Sequence, residues 1–203
     1  MTDQPQPQPQ PLPPHPPTVR VFIALAPPDE AKDELASALQ PVYEQFPQLR
    51  WNRIEDWHIT LAFLGELPVA TVPLLRPALA GLAASRPPLR LGLRGGGHFD
   101  ERLLWSGVKG ELEGLHQLAA EVRNLVRACG VAFQERPLRP HLTLARARRN
   151  EQPSVVRATA DLTAFDGRPW QTDRLHLVGS NLGRGPGMIR YRDIESWPFN
   201  GDA

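Results

Sequence analysis

Hydrophobic positions along the chain follow two different periods. Residues 19–26 form a run of β-branched, aromatic and aliphatic side chains that stops at a Pro-Pro pair, which is typical of a buried strand. Leu35, Leu39 and Val42 then recur at helical spacing, which predicts a helix after that strand. The folded part of the chain therefore begins with a strand followed by a helix.

The same alternation continues along the rest of the chain. A strand at residues 58–64, ended by Gly65, precedes a helix at 69–85, and further strands are predicted at 89–93, 103–108, 141–147, 174–182 and 189–199. The clearest helix has an apolar face and a glycine just after its end; these residues are Leu112, Leu115, Ala119, Val122, Val126, Cys129 and Gly130. Hairpin-like strand pairs between the helices favour an α+β fold over a doubly wound parallel sheet.

One four-residue pattern, His-x-Thr-Leu, occurs twice, each time inside an apolar run. The copies begin at His58 and His141, near the ends of two similar strand–helix–strand units. This arrangement predicts a duplicated fold with pseudo-twofold symmetry. In a strand, residues two apart share a face, so we expect His58 beside Thr60 and His141 beside Thr143, with the intervening apolar residues in the core.

Two imidazoles and two hydroxyls that face one cleft would suit phosphodiester cleavage. Imidazole titrates near neutral pH, so one ring can accept a proton while the other donates one, and hydroxyls can donate to phosphoryl oxygens. A metal site is the rival chemical interpretation, but threonine stands where a carboxylate would be needed and a third ligand is missing. A single histidine at a strand start is usually structural; it is the repetition that favours catalysis.

Composition limits the other possibilities. The 203 residues carry 23 Lys or Arg and 22 Asp or Glu, so no strong net charge indicates bulk nucleic-acid or membrane binding. Cys129 is the single cysteine, which excludes a disulfide framework and a cysteine-based metal site. Residues 1–17 are rich in Pro and Gln, so we expect a disordered tail followed by one bilobal domain at 18–203.

With no secretory signal and no apolar stretch of membrane-spanning length, the sequence predicts a cytoplasmic protein without a membrane partner, and a monomer is the default expectation.

Several segments together resemble the 2H phosphoesterases, and within them the RNA 2′,3′-cyclic phosphodiesterase family, also called 2′-5′ RNA ligase-like. The matching segments are "RVFIALAPPDE", "WNRIEDWHITLAFLGEL", "LLWSGV", "RPLRPHLTLAR" and "LVGSNLGRGPGMIRYRDIESWPF". The resemblance implies a two-lobe fold in which antiparallel sheets line a central cleft and helices lie outside. It also implies an enzyme that needs no metal or cofactor and opens the 2′,3′-cyclic phosphate at an RNA end to a 2′-phosphomonoester.

Carried over to this sequence, the resemblance implies that His58 is the general acid for O3′ and that His141 is the general base for water. From the residues alone the two motifs are interchangeable. Thr60, Thr143 and Arg146 become phosphate ligands. Strict alternation would place Arg146 on the face opposite His141, unless a bulge or the strand end redirects it.

Further expectations concern the substrate. Phe22 on the opening strand is a candidate for stacking on a nucleobase. His176, in a strand away from both motifs, is expected to have a core or surface role. Alternative substrates are small cyclic nucleotides such as ADP-ribose 1″,2″-cyclic phosphate, or 2′-5′-linked oligonucleotides, and reversal would give 2′-5′ RNA ligation. A non-catalytic binder of RNA ends is the alternative outside the enzymes.

Overall fold

The computed structural model describes residues 16–148, 150–180 and 191–201. In these ranges nine strands and four α-helices alternate along the chain. The strands are β1 (Thr18–Leu25), β2 (Arg50–Trp51), β3 (Ile59–Pro68), β4 (Arg90–Phe99), β5 (Leu103–Gly110), β6 (His141–Arg146), β7 (Trp170–Gln171), β8 (Arg174–Ser180) and β9 (Tyr191–Pro198). The helices are α1 (Asp29–Gln45), α2 (Val72–Ala84), α3 (Leu112–Ala128) and α4 (Gln152–Asp161).

All the strands belong to one antiparallel sheet with the order β7-β4-β5-β6-β3-β1-β8-β9, and the short β2 pairs with β6. Its two halves meet at β3 and β6, which are paired only through Ile59 and Leu142. One lobe contains β3, β1, β8 and β9; the other contains β6, β5, β4 and β7. The predicted α+β fold with two duplicated lobes is therefore confirmed.

The hydrophobic core lies between one face of this sheet and the helices. Alternate side chains of β1, such as Ile23 and Leu25, are almost fully buried in it, as are the residues between His and Thr in both motifs, Ile59 and Leu142. Helix α3 contributes the face predicted from its periodicity, and Gly130, with φ of +78°, follows its end. The opposite face of the central strands is thereby left for the cleft.

Some boundaries differ from the sequence-based prediction. The strand predicted to end at Gly65 continues to Pro68. Gly65 has a φ of +75° and lies next to a register shift against β1, so the glycine bends the strand there and does not end it. Helix α4 was not predicted. It is short, begins with a proline in its first turn and is rich in β-branched residues, so its helical pattern is weak.

Most of the predicted tail, residues 1–15, lies outside the described residues. The described chain begins with two prolines, and the carbonyl of Pro17 accepts a hydrogen bond from the Val69 amide at 2.9 Å. None of the helices in the described ranges is both long and apolar enough to cross a membrane.

Candidate active site

The two His-x-Thr motifs meet where the lobes join. Ile59 and Leu142 are paired in antiparallel strands and both point into the core. Their neighbours on either side therefore point to the other face, His58 across from Thr143 and His141 across from Thr60. All four side chains are partly exposed, so the fold brings the predicted residues together around one accessible volume.

Both imidazoles are held in the same way. Nδ1 of His58 lies 2.6 Å from the carbonyl oxygen of Asp56, and Nδ1 of His141 lies 2.6 Å from that of Arg139. A carbonyl oxygen only accepts, so Nδ1 carries the proton in each ring. Nε2 is then the nitrogen that can accept or donate a proton in the cleft.

A β-bulge follows each motif at the same place. On β6, Thr143 is opposite Trp105 while Ala145 is opposite Leu104, so Leu144 is an extra residue. On β3, Thr60 and Ala62 are opposite consecutive residues of β1, which makes Leu61 the extra residue. The bulge reverses the alternation, so the residue five positions after each histidine returns to the cleft face.

Arg146 is the residue redirected by the second bulge. It is exposed at the end of β6, and its charge acts on His141. The structure thus places Arg146 on the same face as His141 and Thr143, as a bulge would require. Arg50 is directly opposite Arg146 in the β2–β6 pair, so a second guanidinium lies on that face, which the sequence analysis missed.

Aromatic rings enclose His58. The Phe22 ring stacks on the imidazole with 4.5 Å between centroids, and Tyr191 meets it edge-on at 5.0 Å. Phe22 is only 3% exposed, since its ring is covered by His58 and the edge of Tyr191. Phe22 thus lies in the site as a support for His58, and its stacking on a nucleobase stays a prediction.

His141 has a matching aromatic neighbour from its own lobe. The Phe99 ring meets it edge-on at 4.9 Å, and the Arg139 guanidinium lies 5.6 Å from the centroid of Phe99. Each histidine is therefore fixed by one backbone carbonyl and at least one aromatic ring, which limits the orientations of both Nε2 atoms.

Burial governs the protonation of both rings. It is the largest cause that lowers the pKa of His58 to about 4; a proton on His141 or His176 lowers it too, while the Asp56 carbonyl and the Asp193 carboxylate raise it. Burial also lowers the pKa of His141, assisted by the Arg146 charge and opposed by the Arg139 carbonyl. At neutral pH both imidazoles of the free site are uncharged.

A cavity of about 360 Å³ opens beside His58 and extends towards β8 and β9. Besides Phe22 and Tyr191, it is lined by His176, Asp193 and Lys32. His176 thus shares a cavity with His58, although the sequence suggested a core or surface role. In the described ranges, no three His, Cys, Asp or Glu side chains lie close enough together to hold a metal ion.

The 2′-5′ RNA ligase superfamily model matches residues 27–184, a range that includes both motifs. The chain belongs to the 2′-5′ RNA ligase superfamily. The predicted family is therefore confirmed, and curated relatives named RNA 2′,3′-cyclic phosphodiesterase agree with the predicted kind of enzyme.

Two curated proteins are similar to this chain over most of its length. An RNA 2′,3′-cyclic phosphodiesterase of Geobacillus stearothermophilus is 33% identical over 89% of the chain, and the chain spans 57% of that protein's length. One from Thermus thermophilus is 30% identical over 91% of the chain and 92% of its own length. A crystal structure of the Thermus thermophilus protein TT0787 superposes with a TM-score of 0.70 and 26% identity, over 91% of this chain and 100% of that one.

Proposed function

We propose that this protein hydrolyses the 2′,3′-cyclic phosphate at RNA ends to a 2′-phosphomonoester, using His58 and His141 as a proton-transferring pair and no metal ion. The observation that carries the proposal is the convergence of both His-x-Thr motifs on one strand pair. The names of the two curated relatives support the substrate class. Phosphodiester hydrolysis needs a base for water and an acid for the leaving oxygen, and the site offers two imidazoles with free Nε2 atoms.

The phosphate would lie between the two histidines. Thr60 and Thr143 are adjacent to the opposite motif's histidine, so their hydroxyls can donate to non-bridging oxygens from both sides. Arg146, on the same face, adds a charge-assisted hydrogen bond as negative charge builds on these oxygens. Arg50 lies close enough to contribute to the same positive field.

The position of the cavity supports one assignment of the acid and the base. In-line displacement places the attacking water and the leaving oxygen on opposite sides of phosphorus. The leaving O3′ remains attached to the nucleoside, which needs space, whereas water needs little. Because the cavity of about 360 Å³ opens beside His58, the nucleoside and O3′ fit that side, with His58 as general acid and His141 as general base.

The bond changes follow from this orientation. The water oxygen forms a bond to phosphorus as His141 Nε2 takes the water proton, and the P–O3′ bond breaks as His58 Nε2 donates its proton to O3′. The product carries the phosphate on O2′ and a free 3′ hydroxyl. The same bond changes, with an RNA 5′ hydroxyl in place of water, would form a 2′-5′ linkage with the same residues.

His58 must be protonated before it can act as the acid, although its pKa in the free site is about 4. Binding of the phosphodiester anion between the rings raises both pKa values, because an adjacent negative charge favours imidazolium. The bound substrate therefore favours the protonated form of His58, which its cleavage requires.

The direct test incubates an RNA oligonucleotide ending in a 2′,3′-cyclic phosphate with the protein in excess chelator, and the product isomer is identified by chromatography against 2′- and 3′-phosphate standards. We expect the 2′-phosphate. A 3′-phosphate product or loss of activity in chelator would overturn the mechanism. Tight binding of a 2′-phosphorylated end without turnover of any cyclic ester would instead support the RNA-end binder.

A further inference from the structure

His176 and Asp193 form a hydrogen-bonded pair in the cavity beside His58. Nδ1 of His176 lies 2.9 Å from Oδ2 of Asp193, and the two residues come from the adjacent strands β8 and β9. The histidine side chain is 14% exposed, whereas the carboxylate is 54% exposed. The proposed proton transfers use neither residue, yet both line the cavity that opens beside the acid.

The pair presents hydrogen-bond acceptors to the cavity. A carboxylate only accepts, so Nδ1 of His176 carries the proton in this contact. In the neutral ring Nε2 then has a lone pair, and the second carboxylate oxygen of Asp193 is another acceptor. A ligand group that meets this end of the cavity must therefore bring hydrogen-bond donors, and the donors of a nucleobase are N–H groups.

The distance from the phosphate fits a nucleobase. His176 is opposite Ala24 on β1, and Ala24 is opposite Thr60 on β3. Two strand spacings, about 10 Å, therefore separate the backbone of the proposed phosphate ligand from that of His176. This is the range over which a nucleoside extends from its phosphate to the far edge of its base.

We propose that the His176–Asp193 pair is a specificity determinant that selects a terminal nucleotide whose base carries an exocyclic amino group, guanine above all, over uracil. The inference rests on the proposed function, because it needs the nucleoside to occupy the cavity on the His58 side. Guanine offers two adjacent donors, N1–H and N2–H₂, which match the oxygens of a carboxylate. Uracil offers one N–H between two carbonyl oxygens, which would face the acceptors of the pair.

The test compares kcat/KM for guanosine and uridine 2′,3′-cyclic monophosphates in the parent protein and in Asp193→Asn. This change keeps the size of the side chain but replaces an acceptor oxygen with a donor amide. We expect the parent to prefer guanosine by about tenfold, the scale of a good bidentate base contact. In Asp193→Asn the ratio should fall to within about threefold of unity, mostly through KM, because the base contact lies away from the reacting atoms.

Two controls separate this role from a general effect. Asp161→Asn, at the exposed end of α4, makes the same chemical change away from the cavity and should leave the ratio unchanged. His176→Gln should lower the ratio as Asp193→Asn does, while His116→Gln on the exposed side of α3 should not. An equal loss on both substrates in kcat would mean that the pair acts through the charge of His58, and it would overturn the inference.

A parent protein without base preference would also overturn it. If no cyclic nucleotide is hydrolysed at all, the proposed function fails, and the pair is then tested by binding alone. Calorimetry with guanosine and uridine 2′-monophosphates should still show tighter guanosine binding in the parent and equal binding in Asp193→Asn. Equal binding in the parent would reject the specificity role independently of catalysis.

Discussion

At the scale of single residues, the same arrangement of neighbouring groups holds both candidate catalytic histidines. In each motif the carbonyl oxygen two positions before the histidine accepts a hydrogen bond from Nδ1–H, and an aromatic ring covers or abuts the imidazole. The sequence predicted that His58 shares a face with Thr60 and that His141 shares a face with Thr143, because alternation in a strand is sufficient for each inference. It could not show which residue covers each ring, since Phe22 and Phe99 come from other strands.

The lowered pKa values predict an unusual pH dependence. The reaction needs one proton on the pair, and this form is most populated between the two pKa values, both of which lie below the ordinary 6.5 in the free site. Near His58, the Asp193 carboxylate raises the pKa, whereas protons on His141 and His176 lower it further. Near His141, the Arg146 charge lowers the pKa further. We therefore expect kcat/KM to peak below pH 6.5 and to fall as the pH rises through neutrality.

The profile of kcat should lie at higher pH than that of kcat/KM, because the bound phosphodiester anion raises both pKa values. Initial rates from about pH 4.5 to pH 9 at saturating and low substrate separate the two profiles. A kcat/KM that keeps rising above pH 7 would mean that the singly protonated pair is not the reactive form.

At the scale of the secondary-structure elements, the bulges determine which side chains of β3 and β6 point to the cleft face. Leu61 and Leu144 are the extra residues after Thr60 and Thr143, and both are followed by a second buried residue, an alanine. Two consecutive apolar positions are the feature of the sequence that could have indicated a bulge. The period-two interpretation placed Arg146 on the wrong face unless such a bulge was assumed.

The same bulges show where the two lobes differ. Five residues after the histidine, the second motif brings Arg146 to the cleft face, while the first brings Phe63, which is 43% exposed with the Arg20 guanidinium 4.7 Å from its ring centroid. The second lobe thus supplies positive charge around the proposed position of the phosphate. The first lobe supplies aromatic surface and the cavity.

Two glycines in the helical layer allow a matched stability test. Gly130 follows α3 with φ of +78°, and a Cβ there would meet nothing within 4 Å, so Gly130→Ala costs only backbone strain. We expect a loss of about 1 kcal/mol in the free energy of unfolding. Gly81 lies inside α2, also with open space at Cβ, so Gly81→Ala should instead stabilise by about 0.5–1 kcal/mol.

Urea denaturation followed by circular dichroism measures both changes against the parent. The opposite signs are the essential result, because the two substitutions add the same methyl group and differ only in backbone conformation. Stabilisation by Gly130→Ala would show that the residue does not hold a left-handed conformation in solution.

At the scale of the whole molecule, the duplication could be predicted because the motif itself is repeated. The way in which the lobes join could not, since a single pair between Ile59 and Leu142 leaves no pattern in the sequence. The His176–Asp193 pair was missed for a related reason. Its partners lie on different strands, and only the β8–β9 pairing brings them together beside His58.

The two-lobe arrangement supports one proposal above all, namely that His58 and His141 act as a unit on one phosphate. The most direct measurement is kcat/KM on a cyclic-phosphate RNA for His58→Gln, His141→Gln and the double variant, with folding checked by circular dichroism. We expect each single variant to lose at least about a hundredfold, and the double variant to be little worse than the poorer single one. Either single variant turning over at nearly the parent rate would contradict the account.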